Sequence, residues 1–188
     1  NKWKLAFDAA RDLKEHSPED HWDNLLKDIQ LPQLSLSQLG FEQSKILVAD
    51  FDIRPSTIQN YEATRNFPDQ NGTSRIGPHL RFGTVSIRQV VKRAIAENNE
   101  IFWNELIWRE FFMQIMWHFP HTVDKAFRPK YDQIKWRNKT EEFDAWKKGE
   151  TGYLLVDAGM RELNQTGHMH NRVRMLVASF LCKHLLID

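Results

Sequence analysis

The sequence predicts an all-α fold. Three observations carry that expectation: helix start and stop signals recur along the chain, no run of β-branched residues is bounded by hairpin turns, and long stretches place apolar residues at helical spacing. The chain has 188 residues, 41% apolar and 27% charged, enough for one soluble globular domain with a sizeable core. Twelve Phe and seven Trp are many for this length, and point to a core built on large side chains.

The first 55 residues read as a connector of mixed helix and loop, and residues 56–188 as the helical domain proper. In the connector, Trp3, Phe7, Ala10 and Leu13 share a stripe, so a short amphipathic helix is expected over Trp3–Lys14. Ser17-Pro18-Glu19-Asp20 then supplies an N-cap, a first-turn Pro and first-turn acids, opening a helix to about Ile29. Leu31–Ser37 alternates apolar and polar residues, but Pro32 favours a loop over a strand. A helix is expected from Ser56-Thr57 to just before Pro68.

Beyond Thr73 nearly everything reads as helix. Ser86-Ile87-Arg88-Gln89 has the form of a capping box, opening a helix with Ile87, Val90, Val91, Ala94 and Ile95 on one face. Ile101–Phe119, stopped by Pro120, is apolar over more than half its circumference and is expected to be largely buried. Thr140–Lys148 is closed by Gly149 and Val156–Gln165 by Gly167. Asn171–Ile187 reads as a final helix, apolar nearly all round.

Charge and cysteine use narrow the environment. Residues 1–60 carry a net charge of −3 and the remainder +4, which weakly favours an anionic partner for the second part. One cysteine, Cys182, precludes a disulfide framework, and a cytoplasmic location fits. No apolar stretch reaches the roughly 18 residues of a membrane helix, and no signal peptide is present.

Three stretches carry candidate chemistry. In Tyr61…Arg65…Gly72–Gly83, two hydroxyls (Thr73, Ser74) and Arg75 sit beside glycines, a pattern that serves either a polar interhelical turn or a phosphate-binding loop. In Asn104–Phe112, Glu105, Trp108, Arg109 and Phe112 share a helical face. That face suits a stacked base with its edge hydrogen-bonded to Glu105, or equally an intrahelical Glu105–Arg109 ion pair beside a core Trp. In the third, His168, Met169, His170, Asn171, Arg172, Arg174 and Met175 crowd around one turn and the helix start it leads into, where free amides favour negative charge. The two histidines lack Cys or carboxylate partners at ligand spacing, so no metal is expected.

Taken together, these stretches resemble the flavin-binding helical domain of DNA photolyases and cryptochromes, most closely the cyclobutane-pyrimidine-dimer photolyases. The likeness runs from about Tyr61 to Asp188 and is strongest over Gly72–Gly83, Asn104–Phe112 and Ala145–Asp188. It implies FAD as cofactor, contacted through Tyr61, Thr73, Ser74, Arg75, Ile76, Gly77, Phe102, Asn171 and Arg174. It also implies DNA containing pyrimidine dimers as partner, contacted through Arg65, Glu105, Trp108, Arg109, Phe112, Asn171 and Arg172. Glu105, Trp108, Asn171 and Met175 would surround the dimer and flavin, and Trp136 would be the surface end of a tryptophan chain that reduces the flavin. The activity implied is light-driven dimer splitting by electron transfer from reduced FAD.

Asn171 and Met175 stand where the (6–4) photolyases carry His, so the cyclobutane lesion is the expected substrate. The chain departs from the family pattern at Gly77 (usually Ser), His168 (commonly Trp) and Leu154 (commonly Pro). It also lacks an antenna-chromophore domain and the segment beyond Asp188, so the expectation is a fragment that holds FAD weakly and does not repair DNA. A blue-light photoreceptor and a flavin-free helical DNA-binding module are the competing functions.

Overall fold

The computed structural model describes Leu13, residues 17–25 and residues 32–188. The expected helix at Trp3–Lys14, apart from Leu13, lies outside these. Eight α-helices follow in order among the described residues: α1 (Pro55–Gln59), α2 (Tyr61–Thr64), α3 (Gly77–Phe82), α4 (Ile87–Ala96), α5 (Glu100–His118), α6 (Thr140–Lys148), α7 (Leu154–Thr166) and α8 (Asn171–Phe180). Short 3₁₀ turns intervene, and the described residues contain no strand. The all-α expectation holds.

The helices surround two apolar clusters. In the first, Ile58 of α1 and Val90 of α4 lose all solvent contact and pack with Ala94, Leu80 of α3, and Phe102 and Leu106 of α5. Each such aliphatic side chain contributes about 1.5–3 kcal/mol relative to exposure. The second joins Val156 and Met160 of α7, Met169, and Val173, Val177 and Phe180 of α8. Gly159 lets α7 and α8 approach closely, since a Cβ there would lie 2.4 Å from Val173 Cγ1.

Caps fix the helix ends. The Ser86 hydroxyl accepts from the Arg88 amide to open α4. Asn99 caps α5 by accepting from the Phe102 amide (2.8 Å), while its side-chain NH₂ donates to the Ile58 carbonyl (2.6 Å), locking α5 to α1. Gly149 and Gly167 end α6 and α7 at φ +71° and +69°, the left-handed region that glycine enters without penalty.

Four expectations need correction. The cap at Ser17 forms, its hydroxyl accepting from Glu19 N at 3.2 Å, but it opens a 3₁₀ segment, Pro18–Asn24, and Leu25 is already extended. The helix expected from Ser56 to Pro68 is broken at Asn60 into α1 and α2, and starts at Pro55, whose fixed φ suits a first turn. The last helix ends at Phe180 and continues as one π-helical stretch, Leu181–Leu185, closed by Leu186 at φ +51°. Most consequentially, α5 is not largely buried. Only Phe102 and Leu106 are, while Trp108, Phe112 and Trp117 are 53%, 61% and 80% exposed. Its apolar circumference is therefore left uncovered on the Trp108–Trp117 face by the described residues.

Candidate functional site

The loop between α2 and α3 is held from both sides before it reaches the site. The Thr64 hydroxyl donates to Asn60 O (3.0 Å) and Gly72 O (3.2 Å), and a Cβ on Gly72 would lie 2.3 Å from that same Thr64 oxygen. On the other side, the Asp52 amide donates to Ser74 O at 2.9 Å. Asp52 is itself fixed by the Arg54 guanidinium and amide and by the Thr57 hydroxyl, which hold its carboxyl well below the usual carboxylate range. Between these anchors Arg75 adopts φ +49°, uncommon for a residue with a side chain. Strain of this kind persists only where surrounding contacts enforce it.

The anchored loop forms one wall of a cleft of about 260 Å³ at the seam of the two apolar clusters. Thr73, Ser74, Arg75, Ile76 and Gly77 line that wall, and no atom lies within 4 Å of where a Gly77 Cβ would be. Tyr61 and Phe102 form the apolar floor, with ring centroids 5.1 Å apart and planes at 89°. Burial raises the Tyr61 phenol above its ordinary pKa, so it stays neutral.

The opposite wall is the turn into α8. His170 is the helix cap: its Nδ1 accepts from the Arg172 amide at 3.2 Å. That contact needs a lone pair on Nδ1, which leaves Nε2 as the protonated ring nitrogen, buried and without a hydrogen-bond partner among the described residues. Asn171 and Arg174 face the cleft from the first turn of α8, where free amides and the helix dipole favour an anion. Burial first, then the nearby Arg75 guanidinium, lowers the pKa of the neighbouring His168.

The charge in the cleft is one-sided. Arg75, Arg109 and Arg174 contribute positive charge, and the one acid lining it, Glu105, is already paired: its Oε1 lies 2.6 Å from Arg65 Nη1. Arg109 donates to the Leu80 carbonyl (3.4 Å) and Arg174 to the Met169 carbonyl (3.3 Å), so neither is neutralised by a carboxylate among the described residues. The intrahelical Glu105–Arg109 pair does not form. Arg65, expected as a DNA contact, is the partner of Glu105 and lies 5.2 Å from the Tyr61 ring centroid.

The remaining expected site residues lie outside this cleft. Trp108 packs edge-on to Phe111 (5.5 Å) and near Phe112 (6.0 Å) on the exposed face of α5. Met175 and Arg172 line a separate, mainly apolar depression of about 640 Å³ with Tyr153, Leu154 and Phe180. Trp136 borders a third hollow with Tyr131, Asp124 and Asp188. Three residues that hold the surrounding elements in place were not expected. They are Asn66, which accepts from Arg172; His170, which caps α8; and Asp157, whose carboxylate accepts from the Thr151 amide (2.8 Å) and hydroxyl (2.5 Å) and the Gly152 amide (2.9 Å). For Asp157 the spacing after Thr151-Gly152 was a readable signal; Asn66 had none.

A loop rich in hydrogen-bond donors faces a helix N-terminus across an apolar floor, an arrangement chemically suited to a phosphate-bearing, ring-containing ligand. Comparison with known proteins agrees. Residues 102–188 match the family model described as the FAD binding domain of DNA photolyase. The deoxyribodipyrimidine photo-lyase of Halobacterium salinarum is 37% identical over 95% of this chain and 42% of its own length. That of Agrobacterium fabrum is 45% identical over 73% of the chain and 30% of its own.

Among solved structures, a bacterial class III photolyase from Agrobacterium tumefaciens superposes with a TM-score of 0.66, at 44% identity over 70% of this chain and 29% of that one. A Synechocystis cryptochrome superposes with a TM-score of 0.65, at 37% identity over 71% and 29%. By sequence and by fold, the chain is similar to the helical FAD-binding domain of the DNA photolyase and cryptochrome family. It spans less than half the length of these curated relatives.

Proposed function

We propose that this protein contributes the flavin and DNA site of a deoxyribodipyrimidine photolyase, which splits cyclobutane pyrimidine dimers in DNA under light. The observation that carries the reading is the cleft itself. One loop, Thr73–Gly77, and one helix N-terminus, Asn171–Arg174, converge, with positive charge that no carboxylate among the described residues pairs at Arg109 and Arg174, over the aromatic floor of Tyr61 and Phe102.

The donor set fits FAD. Thr73 and Ser74, the amides of Ile76 and Gly77, and Arg75 are hydrogen-bond donors of the kind a pyrophosphate needs, and the open space at Gly77 admits close backbone approach. Phe102 and Tyr61 supply apolar surface for ring stacking, and Asn171 an amide able to bond a flavin ring edge. Arg174 supplies positive charge from the other wall. When bound and reduced, FAD supplies the light-driven electron that opens the dimer and recovers it afterwards.

Everything else falls to the side chains. Trp108 and Phe112, exposed and clustered, give a stacking platform for extruded bases, worth about 1–3 kcal/mol per base. Glu105, adjoining both the cleft and this platform, accepts from a base edge; Arg65, paired with it, fixes where that carboxylate points. Met175 packs apolar surface against the lesion, Arg172 and Arg109 engage phosphates, and Trp136 lies on a separate surface for electron entry. Extrusion costs a few kcal/mol, less at a lesion that already weakens pairing, which favours damaged sites.

The test is flavin content and binding in the full-length protein. Arg174→Gln is expected to lower bound FAD with an unchanged fold, and the wild type to prefer dimer-containing over undamaged oligonucleotide. A protein that binds DNA salt-sensitively, without flavin and without that preference, is a helical DNA-binding module and sinks the photolyase reading.

A further inference from the structure

Two adjacent residues after α2 reach two different helices, α5 and α8, beside the cleft. Arg65 pairs with Glu105 of α5, 2.6 Å apart, and Asn66 Oδ1 accepts from both Nε (2.8 Å) and Nη2 (2.7 Å) of Arg172 in α8, 106 residues away. The two clamps look alike but differ in charge. Arg65 meets a carboxylate and is neutralised. Arg172 meets a neutral amide, so its guanidinium is oriented while its charge stays available, and no carboxylate among the described residues pairs with it.

We infer that Asn66 is a positioning residue: it holds the Arg172 guanidinium as a preoriented, uncompensated anion contact beside the site. The inference rests on the reading that DNA is the partner. Both bonds converge on one acceptor oxygen, which fixes the plane of the fork and leaves Nη1 facing Met175, with Sδ at 3.7 Å. An arginine side chain ordered only on binding loses rotamer freedom at that moment, up to about 2 kcal/mol. Asn66 removes much of that loss in advance. An aspartate here would orient the fork equally well but cancel the charge that a phosphate requires; the amide separates orientation from neutralisation. By the same logic Arg65, with its charge spent on Glu105, orders the acid rather than meeting the backbone.

The experiment measures affinity of the full-length protein for dimer-containing and undamaged oligonucleotide duplexes across a salt series. Asn66→Ala is expected to weaken binding to both about tenfold. It also flattens the slope of log affinity against log salt by about one, the signature of one lost phosphate contact. The thermal midpoint stays unchanged. Arg172→Ala produces the same loss, and the double variant loses no more than either alone.

Unchanged or tighter binding by Asn66→Ala, an unchanged salt slope, or additive losses in the double variant overturns the assignment. If Asn66→Ala does not fold, Asn66→Gln keeps the amide but displaces its oxygen by one methylene and gives the same readout. A wild type that binds both duplexes equally sinks the lesion-repair reading instead, while the Asn66 effect on the salt slope is still read on undamaged DNA.

Discussion

The approach of α7 to α8 sets where the N-terminus of α8 sits, and Gly159 is the residue that permits it. Adding a methyl there places Cβ 2.4 Å from Val173 Cγ1 and 3.1 Å from Val177 Cγ2. Both valines are buried on a helix, where branching at Cβ leaves essentially one rotamer, so they cannot swing aside. The helices must separate. Overpacking of this kind costs up to about 3 kcal/mol, against about 1 kcal/mol gained by replacing Gly within a helix, for a net loss of about 2 kcal/mol.

Val173→Ala alone removes two buried methyl groups, about 1.6 kcal/mol before any cavity cost. In Gly159→Ala with Val173→Ala, the new methyl occupies the space vacated by the old one. The double variant should therefore recover at least about 1 kcal/mol relative to the sum of the single losses. Urea titration at constant slope, read by circular dichroism, measures all three. Additive losses, within about 0.5 kcal/mol, refute the claim that this contact sets the α7–α8 spacing.

Other predictions concern the loop, the acid-labile anchor and the exposed helix face. Gly72→Ala should destabilise the protein by about 1–3 kcal/mol through its clash with Thr64, whereas Gly77→Ser, with open space at Cβ, should stay within about 0.5 kcal/mol; denaturant midpoints decide both. Burial alone would raise the Asp157 pKa, but the Thr151 hydroxyl and amide and the Gly152 amide outweigh it and lower the value. Its contribution to stability is thus present above the unfolded carboxylate value of about 4 and lost as pH falls toward the lower folded value. Asp157→Asn should flatten that acid limb of the stability profile, and an unchanged limb would show that other carboxylates dominate it. Trp108→Ala should weaken binding of dimer-containing DNA by about 1–3 kcal/mol with little loss of stability, because the indole is already half exposed; a large drop in thermal midpoint would contradict its role as a binding surface.

What the sequence made legible was local. Ser86 marks a helix start and Gly149 and Gly167 mark helix ends because capping is decided within a few residues. The gathering of Thr73–Gly77 with Asn171 and Arg174 in one cleft was legible only through family likeness, since no local rule joins positions so far apart. Periodicity misjudged α5 because an apolar circumference reports affinity for apolar surroundings without saying which element supplies them. The sequence also offered Arg109 as partner for Glu105, one turn away. The partner is Arg65, 40 positions earlier, because α2 packs across α5. Asn66 was invisible for the same reason: an exposed Asn after a short helix has no pattern to distinguish it. His170 drew notice as a possible ligand, yet its Nδ1 serves the backbone of α8.

The central claim is that this site positions a flavin beside a cyclobutane dimer. The most direct measurement is the loss of dimers from an oligonucleotide incubated with the full-length protein carrying reduced FAD, in blue light and in the dark. The account predicts repair in light alone, abolished or strongly reduced by Glu105→Ala together with Trp108→Ala. Stoichiometric reduced flavin and bound dimer-containing DNA, with no dimer loss under light, would contradict it and point to a photoreceptor.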